Sequence, residues 1–152
     1  MRDCEITGLK SSEFTSDYQR DLLTYWLKMK GDYLMPSRND LDPSEIPRLL
    51  PCIWMADVMG SAEPTFKVRL FGTDLVRAFQ REGTSLELDT VSFAGDIIKR
   101  LTNLVVTKKP YYLLCEFPIP SDDFKFYSTL SLPMSSDDKT VDIILSYVHC
   151  FR

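Results

Sequence analysis

Thr65-Phe-Lys-Val-Arg-Leu-Phe-Gly-Thr73 is the stretch on which the fold turns. Phe66, Val68 and Leu70 alternate with Lys67 and Arg69, so a strand here turns one set of side chains to a core and the other to water. Such alternation marks a half-buried antiparallel strand, because strands of a parallel sheet are covered on both faces and run apolar throughout. Gly72-Thr73-Asp74 then breaks the pattern, and Leu75, Val76 and Phe79 predict a short helix ending near Gly83.

Upstream, residues 52–58 (Cys-Ile-Trp-Met-Ala-Asp-Val) predict a partner strand, joined to 65–71 by a turn. Downstream, Ser92 is placed to cap a longer helix carrying Phe93, Ile97, Leu101, Leu104 and Val105 on one face. Lys108 and Lys109 suit its C-terminal end and Pro110 stops it. Three more strands are expected at 111–118, 124–132 and 140–151, separated by the polar turns 121–123 and 135–139. In the middle strand, Phe124, Phe126, Leu130 and Leu132 read as inward, and Tyr127, Thr129 and Ser131 as outward. This order gives an α+β domain, a five-stranded antiparallel sheet with helices over one face.

Residues 1–15 carry no sustained periodicity and read as an irregular lead-in to a single domain spanning 16–152. Ser16 and Gln19 form a capping box for a helix that Gly31 ends. Along it, Tyr18, Leu22, Tyr25, Trp26 and Met29 recur at helical spacing. That stripe fits either a helix covering its own sheet or a homodimer interface, and the interface is the expectation adopted. In the corner 35–51, Asp42 is placed to accept backbone N–H bonds and Pro43 fits the first helical position. Pro47 and Pro51 stiffen the second half of this corner.

Composition narrows the function. The chain has 152 residues, a net charge of −4 and a pI near 5.0, which argues against non-specific nucleic-acid binding. No leader is visible in the first residues, and no run approaches the eighteen or so apolar residues of a membrane span. A cytoplasmic protein without membrane insertion is expected. The four cysteines, Cys4, Cys52, Cys115 and Cys150, are dispersed without C-x-x-C spacing, and Cys52 and Cys115 read as small buried hydrophobes.

The single histidine, His149, has no evident catalytic partner and reads as a satisfied structural residue. No zinc spacing, P-loop, dinucleotide fingerprint or nucleophile elbow is present. The expectation is therefore no metal, no cofactor, no catalytic residues and no enzyme. Arg38 reads as a structural tie within the corner, and Arg69 as outward and solvated. Periodicity reports burial and not voids. The plainer expectation is a dense core; if a cleft is present, its lining would be Phe79, Phe93, Ile97, Tyr127, Ser128 and Tyr147.

Several segments in order carry a resemblance: Leu34-Met-Pro-Ser-Arg-Asn-Asp-Leu-Asp-Pro43 with 46–51, then 53–58, then Phe66-Lys-Val-Arg-Leu-Phe-Gly-Thr73, and finally 132–141. Together they resemble the PAS-like domain family typical of alphaproteobacteria, often short stand-alone proteins. The resemblance covers about 16–151. It implies a five-stranded PAS-like sheet and marks Pro36, Arg38, Asp40, Asp42, Pro43, Arg69, Gly72 and Thr73 as signature positions rather than proven binding residues. One departure is Ser85, which stands where relatives carry a glycine after Gly83-Thr84. PAS-like domains bind small molecules or mediate association in signalling. The function expected here is a sensory or adaptor domain acting through a protein partner, with a small ligand modulating it. The alternative is a domain whose pocket contents are its main function.

Overall fold

The computed structural model describes residues 4–7, 13–60 and 62–152. Its strands are β1 (Cys4–Thr7), β2 (Ile53–Met59), β3 (Thr65–Phe71), β4 (Tyr111–Glu116), β5 (Phe126–Met134) and β6 (Ile143–Phe151). They form one antiparallel sheet in the order β1-β4-β5-β6-β2-β3. The five strands expected from the sequence are all present. The sixth, β1, corrects the expectation of an irregular lead-in over 1–15. It is a four-residue edge strand whose register runs from Cys4 opposite Cys115 to Thr7 opposite Tyr112. Four residues are too few for a period to declare itself, and the pairing comes from the free edge of β4.

Helix α1 (Asp17–Lys30) starts on the expected box, with Ser16 and Gln19 each bonding the other's backbone, and Gly31 follows it at φ 52°. Beyond it, the corner is built from three short 3-10 turns, Arg38–Asp40, Pro43–Glu45 and Leu50–Cys52. Asp42 caps the second through its side chain, as its place before Pro43 requires.

Helix α2 (Thr73–Phe79) stops sooner than expected, because Gln80 itself adopts the left-handed conformation at its end. Gly83 has a different task. A Cβ there would lie 2.8 Å from the Phe71 ring, so the missing side chain is what lets that ring lie against the loop. A 3-10 turn (Leu88–Thr90) and helix α3 (Gly95–Thr107) complete the excursion. Ser92 is not the cap of α3: that position is held by Ala94, without a side-chain bond, after a turn closed by Ala94 N–H to the Val91 carbonyl.

The sheet is covered on both faces, which corrects the expectation of helices over one face. On one face, Leu22 and Trp26 of α1 pack with Met55, Leu130, Leu132 and Leu145. On the other, Leu101 and Leu104 of α3 pack with Ala56, Phe66, Val68 and Ile144, while Leu75 of α2 meets Leu113 and Val148. Neighbours in sequence such as Met55 and Ala56, or Ile144 and Leu145, fall in opposite clusters, as a period of two demands. Consequently every residue from Tyr127 to Met134 is buried.

Two further readings change. Leu70 is not inward; it is 38% exposed. Met55 pairs with Leu70 but Ala56 pairs with Val68, so Arg69 is an extra, bulged residue and the alternation breaks beyond it. Cys115 is disulfide-bonded rather than free, whereas Cys52 and Cys150 are free.

Candidate functional site

An apolar cavity of about 90 Å³ lies between the sheet and the α2–α3 excursion. Alternation on β5 turns Tyr127 and Thr129 into it, and β2 and β3 supply Trp54 and Phe71. The roof is aromatic. Phe79 stacks on Phe93 with ring centroids 6.0 Å apart, meets Phe71 edge-on at 6.1 Å and tilts against Phe117 at 5.0 Å. These contacts hold rings to one another, and the space beneath them is left open.

Phe79, Phe93, Ile97 and Tyr127 line this cavity. Ser128 and Tyr147 do not. Each is displaced by an odd number of residues from a lining neighbour, Tyr127 or Val148, and so faces α1. Ser128 there accepts from Gln19 Nε2 at 2.9 Å, and Tyr147 belongs to the cluster around Leu22 and Trp26. Sequence reasoning missed Trp54, Phe71, Tyr111 and Thr129 as lining residues. The two-residue spacing of Tyr127 and Thr129 was the available signal.

The polar groups of the cavity differ in how well they are satisfied. Burial pushes the Tyr111 phenol up to about 12, although contact with the Ser131 hydroxyl and the charge of Arg100 pull it back. Tyr127 is raised for the same reason and partly held down by the neighbouring Arg100. Thr129 is only 7% exposed, and its hydroxyl has no hydrogen-bond partner among the described residues. Arg81, also on the lining, is exposed.

On the opposite face a polar clamp ties the start of α1 to the sheet. Thr15 Oγ1 lies 2.6 Å from Ser128 Oγ and 2.7 Å from His149 Nδ1, and Thr15 N–H donates to the Tyr112 hydroxyl at 3.0 Å. Burial lowers the His149 pKa. Trp26 Nε1–H donates to the Pro133 carbonyl at 2.9 Å. Leu22 and Trp26 are therefore core residues, which corrects their assignment to an interface. Tyr25 and Met29 pack on the same cluster, and the Tyr25 hydroxyl donates to Glu45 at 2.7 Å. Tyr18 remains 40% exposed.

The signature positions gather around the corner rather than the cavity. The Pro36 carbonyl accepts from Ser135 N–H, Asp40 accepts from Ser37 N–H, and Arg38 donates to the Leu41 carbonyl. Asp42 caps the turn opened by Pro43. Gly72 brings the β3–α2 junction against the carbonyls of Leu50 and Pro51, and its N–H donates to the Ile53 carbonyl at 2.8 Å. Thr73 opens α2 behind it. Arg69 stands apart, its Nε 2.9 Å from Asp57 on the neighbouring strand in an exposed ion pair. Such pairs contribute little to stability. Among the described residues no group of three or more His, Cys, Asp or Glu side chains is placed to hold a metal ion. No helix among them is long and apolar enough to cross a membrane.

The result is a mixed sheet-and-helix domain with an apolar chamber under its helical excursion. The PAS domain family model matches residues 14–105, more than half of the chain, and the protein belongs to that family. No curated protein matches it. The family suggests a sensory or signalling module in general terms, typically regulatory rather than catalytic.

Proposed function

We propose that this protein is a sensory or adaptor domain that signals by associating with another protein, a second copy included, and that a small molecule in the cavity modulates the association. The observation that carries this reading is the aromatic-roofed cavity itself, in a fold whose family suggests sensing. On β5, Thr129 faces the cavity while its neighbour Ser128 holds the clamp to Thr15 and Gln19. A shift of β5 on ligand entry thereby reaches the start of α1, whose outer face carries the exposed Tyr18 and Leu27. This reading assigns no catalytic step and places the protein among the cytoplasmic PAS-like proteins typical of alphaproteobacteria, on the ordered motifs from 34 to 141.

Native mass measurement on freshly purified protein tests both halves, since it reports oligomer mass and retained ligand together. The expected result is a dimer, with or without the added mass of a bound small molecule. A bare monomer at micromolar concentration that gains neither mass nor partner from fresh cell extract overturns the reading. A monomer with a stoichiometric small molecule favours the simpler role of a ligand-binding domain.

A further inference from the structure

The cavity's chemistry specifies its occupant, and this inference rests on the proposal that the cavity is a ligand site. Six aromatic side chains, Trp54, Phe71, Phe79, Phe93, Tyr111 and Tyr127, dominate its wall, and among the described residues no carboxylate lies on it. Flat π faces of this kind favour an aromatic guest over a branched aliphatic one. The volume of about 90 Å³ is several times the roughly 10–15 Å³ that a single water needs on the same measure.

Water is nevertheless a poor occupant. A buried water needs two to four polar partners, and the polar groups here are mostly engaged. The Tyr111 phenol lies beside the Ser131 hydroxyl, and the Tyr127 phenol lies beside Arg100. The Thr129 hydroxyl, on the lining and nine-tenths buried, lacks a partner among the described residues. A buried hydroxyl left in that state is costly, so it is a place where a guest's hydrogen-bonding atom is rewarded.

We propose that the cavity binds a small neutral aromatic molecule bearing a single hydrogen-bonding group, of the phenol or indole class, anchored at the Thr129 hydroxyl. Neutrality follows from the surroundings: burial outweighs the pull of Arg100 on both the Tyr111 and Tyr127 phenols and keeps them protonated. An anionic guest would therefore lose more by shedding its hydration than Arg100 returns, and the other arginine, Arg81, is exposed.

The test uses the full chain, with phenol, indole, toluene and benzoate as probes in calorimetry and ligand-observed NMR. Thr129→Val keeps the side-chain shape and removes the hydroxyl. Because that hydroxyl has no partner among the described residues, the variant should fold with unchanged or higher thermal stability. Phenol and indole are expected to bind the parent saturably and more tightly than toluene. Thr129→Val should weaken phenol about fivefold to tenfold, as loss of one hydrogen bond does, and leave toluene unchanged. Equal affinity for phenol and toluene, or an equal effect of the variant on both, overturns the anchor while leaving the ligand site intact. Benzoate binding more tightly than phenol overturns the neutral class. No saturable binding of any probe removes the ligand site and the inference together.

Discussion

Gly72→Ala isolates the packing of the corner from every other feature of the fold. Gly72 has φ −64° and ψ 156°, a conformation open to any L-residue, so alanine meets no backbone strain. What it meets is the corner. An added Cβ would lie 2.5 Å from the Leu50 carbonyl oxygen and closer still to that of Pro51, both backbone atoms. Neither can rotate away, so the corner or the start of α2 must move. That motion strains the 2.8 Å bond from Gly72 N–H to the Ile53 carbonyl and the two bonds that Leu75 and Val76 donate to the Gly72 carbonyl.

Overpacking of this kind costs about 1–3 kcal/mol. Against it, alanine reduces the freedom of the unfolded chain and returns about 0.4–1 kcal/mol. A net loss of about 1–2 kcal/mol is expected. Gly95→Ala is the matched control: nothing lies within 4 Å of its added Cβ, and it opens α3, so only the stabilising part should remain. Urea unfolding followed by the fluorescence of Trp26 and Trp54 reads both variants, with an unchanged slope confirming a common unfolded state. If Gly72→Ala matches the parent, or if both variants lose the same stability, the packing argument fails.

Three other outcomes are expected. The His149 pKa is depressed by burial below 6.5, so the unfolded state binds its proton first and stability should fall as pH drops below about 6.5; His149→Gln should flatten that slope, and an unchanged slope would show that another group is responsible. Leu22→Glu and Trp26→Glu place a carboxylate at sites with 0% and 4% exposure, and circular dichroism should show loss of the fold; a dimer converted into a folded monomer by either would restore these residues to an interface. Burial raises the Cys52 thiol and pushes Cys150 up to about 12, so both should react with a thiol reagent at about pH 8 far more slowly than a small free thiol, and comparable rates would contradict the burial.

The sequence disclosed those features that a single chain segment determines by itself. Ser16 and Gln19 cap α1 because the box is local, and residues 65–71 form a strand because their alternation is local. The bulge at Arg69 depends on how β3 registers against β2, which no property of 65–71 encodes. Tyr127, Thr129 and Ser131 looked outward because hydroxyls are ordinarily solvated. Here Ser131 is satisfied by Ser146 across the strands at 2.7 Å, and Thr129 meets the cavity. The stripe on α1 was visible, but a period identifies an apolar face without saying what covers it. Leu22 and Trp26 are covered by the chain's own sheet.

The two faces of that sheet are closed by different means, and this difference explains why the cavity lies where it does. One is sealed by a fourteen-residue helix whose tryptophan both fills space and bonds the Pro133 carbonyl. The other is covered by a seven-residue helix, a single 3-10 turn and α3, of which only the N-terminal half borders the cavity. Short elements joined by turns present few successive apolar side chains to a twisted sheet, so large rings must bridge the gap. Phe71, Phe79 and Phe93 do so by leaning on one another, and rigid rings in mutual contact cannot also settle into the space below. Closing the void would require smaller side chains at Phe79 or Phe93, or a glycine-free loop at Gly83 that drives the Phe71 ring inward. The chamber is thus a consequence of aromatic residues on short elements, and the Thr129 hydroxyl, without a partner among the described residues, sits on β5, the strand whose opposite face holds α1 in place.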